Sequence, residues 1–245
     1  MTRLELIGVE GLPEVRPGDD LGELISSRTK LATGDVLVVA QKAVSKSEGR
    51  LISLHTVKAS AEAARIASNL VAHPDPRMVQ VVLDESVRVL RSSRVLITET
   101  RHGFVCANGG VDHSNVPGDD YVTLLPEDPD ASANGLRSRL RELTGVDVGV
   151  IVSDTFGRPW RLGIVNVALG VAGLPASLDL RGSLDDAGNE LHATVLAIAD
   201  ELAAAAGLIM GKTARTPAVI IRGLRLKGSG TGRDLVRPAA EDLFR

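Results

Sequence analysis

Five short apolar runs, each bounded by charged or turn-forming residues, limit what this chain can become. They read "LELIGVEGL" from Leu4, "DVLVVAQ" from Asp35, "RVLITET" from Arg94, "VGVIVSD" from Val148 and "PAVIIRG" from Pro217. Runs of this length, rich in Val, Ile and Leu, are what buried strands need. Between them lie helical patterns. "ASANGLRSRLREL" sets Leu136, Leu140 and Leu143 on one face, "KASAEAARIASNLVAH" from Lys58 forms a second helix, and "ATVLAIADELAAAAGLIMG" is an Ala-rich helix long enough to be largely buried. In that helix Asp200 and Glu201 read as the exposed stripe. Strands and helices mix without the regular alternation of a doubly wound sheet, so the expected class is α+β.

At 245 residues the chain is one large domain or two small ones. The polar stretch "PEDPDAS", Pro126 to Ser132, is the candidate boundary or surface loop, and "LKGSGTGRDL" from Leu226 reads as a mobile Gly-Ser loop. Apolar residues make up 44% and aromatics only 2%, so aliphatic side chains must fill the core, and the composition argues against a stacking platform for single-stranded nucleic acid. A net charge of -3, mixed along the chain, argues against nucleic-acid and membrane-surface partners. The single Cys106, the lack of a leader pattern and the lack of an apolar run of about 18 residues lead to the expectation of a soluble, cytoplasmic protein.

The chain has no G-x-x-x-x-G-K-[ST], no G-x-G-x-x-G opening a helix after a strand, no H-E-x-x-H and no C-x-x-C. A nucleotide site must therefore use some design other than a P-loop or a Rossmann turn, and zinc is not indicated. In "VGVIVSDTFGRPWR" a strand runs into Ser153, Asp154 and Thr155 and then a turn. Carboxylate and hydroxyl oxygens there suit a hard cation such as Mg²⁺, and Arg158 and Arg161 suit an anionic substrate. Equally, Asp154 could cap a helix starting near Thr155.

In "GGVDHSNVPGDD", Asp112 reads as either a turn residue or a cation ligand, while Asp119 and Asp120 read as turn residues only. His113 has nothing in the sequence to orient it. In "AQKAVSKSEGR", Lys42, Lys46 and Arg50 at four-residue spacing form a basic helical face, either solvated or phosphate-binding. Trp160 reads as a core anchor by default, with a pocket wall as the alternative.

Taken together and in order, "GLPEVRPGDDL", "AQKAVSKSEGR", "ANGGVDHSNV", "VSDTFGRPWRLGIVNVALGVAGL" and "IADELAAAAGLIMGK" resemble the coenzyme F-420:L-glutamate ligase family over most of the chain. The resemblance implies a GTP-dependent ligase that adds L-glutamate to a deazaflavin coenzyme through an acyl phosphate. It implies Mg²⁺ or Mn²⁺, with K⁺ a further candidate. Asp112 and Asp154 would hold a first metal and Thr155 a second, while Leu12, Pro13, Glu14, Val15, Gln41, Lys46 and Asn115 would contact nucleotide. The segment after the Ala-rich helix, with Met210, Gly211 and Lys212, would contribute to the nucleotide and second-metal positions. Some members carry Gln where this chain has Lys212, and a protonated lysine cannot ligate a cation. The resemblance further implies a single ligase domain over 1–245, of two-lobed mixed α/β build, in an intertwined homodimer. A metal-dependent nucleotide hydrolase and a non-catalytic relative are the alternative readings.

Overall fold

A computed structural model describes residues 3–114, 118 and 120–242. The Asn115 and Asp119 readings lie outside the described residues. At the centre is a five-stranded sheet in the order β1 (Glu5–Gly8), β12 (Ala218–Arg222), β2 (Val36–Ala40), β8 (Gly149–Arg158), β9 (Arg161–Ala172). Only β2 and β8 run parallel, and every other pairing in this sheet is antiparallel. The architecture is thus mixed α/β with strands of both directions.

Alternation explains why this sheet is central. In β2, Leu37 and Val39 point into one apolar cluster while Val36 and Val38 point into another, and β8 does the same with Val150 and Val152 against Ile151. A strand buried on both faces must be apolar at every position, which is why these runs were unbroken in sequence. The first cluster is closed by α1 (Leu21–Ser26), α2 (Gln41–Ser47) and α5 (Pro129–Thr144), and the second by α6 (Ile198–Met210). Each fully buried Val, Leu or Ile contributes about 1.5–3 kcal/mol.

Between α2 and α5 the chain builds a third cluster under α3 (Ala61–Asn69) and α4 (Pro76–Asp84), with Leu96, Val111 and Val122 at its base. Over it lie β3 (Leu51–Ser53) paired with β7 (Tyr121–Thr123), and the antiparallel set β4 (Ser86–Ser93), β5 (Val95–Thr100) and β6 (Val105–Ala107). A small hairpin of β10 (Leu178–Asp179) and β11 (Val195–Leu196) precedes α6. Among the described residues no helix is long and apolar enough to cross a membrane.

Several sequence expectations need correction. The 126–132 stretch is mostly not a loop: Asp128 accepts from the Asp130 and Ala131 amides at 3.1 and 3.0 Å as the N-cap of α5, and Pro129 opens the helix. Leu143 is exposed, unlike Leu136 and Leu140. Asp200 is not simply surface stripe, because its Oδ1 accepts from the Ala168 amide at 2.8 Å, tying α6 to β9. The Gly-Ser tail is docked: Gly232 opens a 3-10 turn to Leu235 and its amide donates to Asp130 Oδ1 at 2.6 Å. Asp154 caps no helix, since β8 continues to Arg158 and pairs with β9 as far as Arg161. Trp160, at the tip of that hairpin with φ 63, is 86% exposed rather than a core anchor.

Candidate active site

The carboxyl ends of the parallel pair β2 and β8 open into a cavity of about 800 Å³. Ligands in sheets with parallel strands favour that end, where the strands stop and loops take over. Ala40, Gln41, Lys42 and Lys46 wall one side, Ser153, Asp154 and Thr155 the floor, and the loop Leu12–Val15 another side. The last wall is Met210, Gly211 and Lys212 at the end of α6, with the turn through Arg215 to Pro217. Gly211 makes this turn possible: its φ of 51 and ψ of -169 stop the helix in a conformation open to glycine alone.

The basic face of α2 is not solvated. Lys42 and Lys46 keep only 17% and 8% of their side chains exposed. Lys46 pairs with Glu14 across the cavity mouth. Arg50 has left the helix, bonding Glu85 at 2.9 Å and the Leu125 carbonyl at 3.0 Å. Gln41 is buried, its amide donating to Ser45 Oγ at 2.6 Å and to the Leu124 carbonyl at 2.8 Å, so it braces the wall.

Asp112 is a turn residue and an acid facing a cation at once. Its Oδ1 accepts from the Ser114 amide at 2.7 Å, while Lys42 Nζ stands 2.6 Å from Oδ2. Its backbone bridges to Thr123, beyond a 3-10 turn at Asn108–Gly110. Gly110 in that turn has φ 73, and a Cβ there would collide with Leu125. Burial pushes the Asp112 carboxyl upward, but the bonds from Lys42 and Ser114 outweigh it and hold the group below the usual carboxylate range.

Asp154 behaves oppositely. Burial pushes it up to about 6, against the Thr155 amide and the charges of Lys212 and Lys42, and the negative charge of Asp112 adds to the rise. The two carboxylates, distant in sequence, therefore share one electrostatic neighbourhood. The Cys106 thiol beside them is pushed up to about 12, by burial first and then by Asp154.

A divalent cation suits this pair. Two acids converge there, Asp112 on Lys42 and Asp154 under the charges of Lys212 and Lys42, and their carboxylate oxygens are the ligands a hard ion takes. Among the described residues no three His, Cys, Asp or Glu side chains cluster as a metal site, so such an ion would complete its shell with water or phosphate oxygens. The position expected for a second ion does not suit one: Thr155 Oγ1 accepts from Lys212 Nζ at 2.5 Å.

Arg158 and Arg161 are not brought to the cavity. Arg158 Nη2 donates to the Leu162 carbonyl at 2.6 Å, holding the β8–β9 turn, and Arg161 is exposed beyond it. His113 is exposed as well. Asp120 faces His55 at 3.0 Å and Arg77 at 3.5 Å, away from the lysines. Sequence reasoning named Ser153 only as part of the strand end and missed Asn166 and Arg215, all three lining the cavity. Ser153 is 2% exposed, and among the described residues its hydroxyl has no hydrogen-bond partner. Its place beside Asp154 on a strand end was the available signal.

Residues 11–223 match the family model described as F420-0:Gamma-glutamyl ligase. The chain is 49% identical to the coenzyme F420:L-glutamate ligase of Methanopyrus kandleri, with all of both chains covered. It is 47% identical to the protein of that name from Methanothermobacter thermautotrophicus over 99% of each chain. A third, from Haloarcula marismortui, is 46% identical over 99% of this chain and 96% of its own. With its matched span running from the loop beside Glu14 to the end of the sheet strand after Lys212, the chain belongs to the F420-0:gamma-glutamyl ligase family and is a ligase enzyme.

Proposed function

We propose that the protein uses GTP and a divalent cation to join L-glutamate to the side chain of the deazaflavin coenzyme F420, forming an amide. The observation that carries this reading is the meeting of Lys42, Lys46, Lys212 and Arg215 with Asp154 in one cavity, with Asp112 held by Lys42 at its edge. That charge pattern suits a polyphosphate, and the names of the relatives supply the acceptor and the amino acid.

A carboxylate does not react with an amine until one of its oxygens becomes a leaving group. The coenzyme's terminal carboxylate attacks the γ-phosphorus of GTP, the bond to the β-phosphate oxygen breaks, and GDP departs. The glutamate amine then attacks the acyl phosphate, and phosphate leaves with the carboxylate oxygen as the amide forms. Phosphoryl transfer of this kind depends on positioning and charge stabilisation rather than on a protein nucleophile.

Lys46 and Lys42 hold phosphate oxygens, and Leu12 to Val15 with Gln41 shape the wall against which the nucleotide lies. Asp112 and Asp154 would hold Mg²⁺ or Mn²⁺, which would screen the charge building on the transferred group. The buried floor at Ser153 limits water near the reacting phosphorus. A homodimer is part of the same proposal: Trp160, Leu162 and Ile164 on the β8–β9 arm are 86%, 97% and 57% exposed, an apolar tip that a second copy would cover.

Incubation with GTP, Mn²⁺, glutamate and the unglutamylated coenzyme should yield GDP and a product heavier by one glutamyl unit. Absence of that product from folded protein overturns the reading. GDP release that needs neither coenzyme nor glutamate would favour a hydrolase instead.

A further inference from the structure

The two cation positions expected from the family differ in charge. At the first, two carboxylates, Asp112 and Asp154, meet the Lys42 ammonium, 2.6 Å from Asp112 Oδ2, and the Lys212 charge also acts on Asp154. At the second, a neutral hydroxyl, Thr155 Oγ1, already receives the Lys212 ammonium at 2.5 Å. Ser153, Asp154 and Thr155 all line the cavity floor, past the register shift in β8 at Val152–Ser153, and of the three only Asp154 carries a charge. Gly211, with its φ of 51, turns the chain out of α6 so that Lys212 follows directly into the cavity wall.

We propose that the Lys212 ammonium takes the place of a second divalent cation, so that the protein binds one divalent ion per nucleoside triphosphate. This rests on the functional reading above. A Mg²⁺ or Mn²⁺ on Thr155 Oγ1, at about 2.1 Å, would lie no more than about 4.6 Å from the ammonium now bonded to the same oxygen. The Asp154 charge reaches Lys212, but it is shared with Lys42 and would be shared with the first ion. An ammonium needs no dehydrated octahedral shell; it has three donors, and after one is given to Thr155 two remain for phosphate oxygens. Lys212 lacks exchangeable ligands, so its work is to hold and neutralise. The single divalent ion then belongs to the Asp112–Asp154 side.

The test counts ions. The full chain is saturated with a non-hydrolysable GTP analogue and titrated with Mn²⁺, with bound Mn²⁺ measured by electron paramagnetic resonance and nucleotide retention measured in the same samples. One Mn²⁺ per bound nucleotide, without Mn–Mn coupling, is expected for the wild type, rising to two in Lys212→Gln, where an amide oxygen replaces the ammonium. Two coupled ions in the wild type overturn the proposal, as does a count that stays at one in Lys212→Gln with nucleotide still bound. Failure of the wild type to retain nucleotide at any Mn²⁺ concentration overturns the functional reading itself, and this outcome is separately visible from the ion count.

Discussion

Asp112, bridged to β7, and Asp154, on β8, answer to the same ammonium: Lys42 Nζ stands 2.6 Å from Asp112 Oδ2, and its charge also draws Asp154 downward against burial. Replacing either acid by Asn keeps the shape and removes half of the carboxylate pair. Turnover of Asp154→Asn should fall at least about a hundredfold, because charge stabilisation of this kind is worth several kcal/mol. The circular dichroism spectrum should not change. Product formation at the wild-type rate with saturating Mn²⁺ would remove Asp154 from the site.

Lys46 is 6% exposed and paired with Glu14 at the cavity mouth. Lys46→Ala should weaken binding of a GTP analogue by about tenfold or more, the size expected for losing one charge-assisted phosphate contact. Titration of a fluorescent analogue reads this directly, and an unchanged dissociation constant would take Lys46 out of the nucleotide site.

The arm is tested apart from the cavity. Leu162, 97% exposed at its tip, touches too little of its own chain to matter for folding. The wild type should sediment as the proposed dimer, and Leu162→Glu should shift it towards monomer while leaving the melting temperature of the chain nearly unchanged. A dimer as strong as the wild type would show that the arm is not the interface.

Asp20 caps α1 through the Glu23 amide at 3.1 Å and accepts from Arg139 Nε of α5 at 2.7 Å. The Arg139 bond is the main reason its carboxyl lies below the usual range. A carboxyl lowered on folding adds stability that is present above about pH 3.9, its ordinary value, and is lost as pH falls through the folded value. Asp20→Ala should therefore cost about 1–2 kcal/mol at pH 7, and urea unfolding should show the cost shrinking towards pH 3. A cost independent of pH would mean that the charge plays no part.

Gly232 meets the Leu169 carbonyl so closely that a Cβ would stand 2.0 Å from its oxygen. Gly232→Ala must push the docked tail off β9 and should lower stability by about 1–3 kcal/mol. An unchanged thermal melt would show that the tail contributes nothing there.

Much of the fold was legible because strands buried on both faces leave unbroken apolar runs, as in Val36–Ala40 and Ala218–Arg222. The end of β8 was not legible: Ser-Asp-Thr-Phe-Gly-Arg has no apolar alternation, and only pairing with β9 makes it a strand. Trp160 misled because its size suggests a core, whereas a turn tip at φ 63 turned it outward. The burial of Lys42 and Lys46 depends on Asp112 and Glu14, brought in from distant segments, so no window around α2 contains it. The Thr155–Lys212 bond is similarly long-range, and residue types alone marked only that a cation ligand was missing there.

The parallel pairing of β2 with β8 joins residues more than a hundred positions apart, Val36 to Gly149. Between them the chain builds the cluster under α3 and α4. Forming the pair early would mean closing a very long loop before any contact rewards it, which makes such topologies slow to fold. If the intervening segment condenses first around Ile66 and Leu96, the two edges that frame the cavity meet across a short, structured span. The floor of the cavity is then among the last parts of the molecule to assemble.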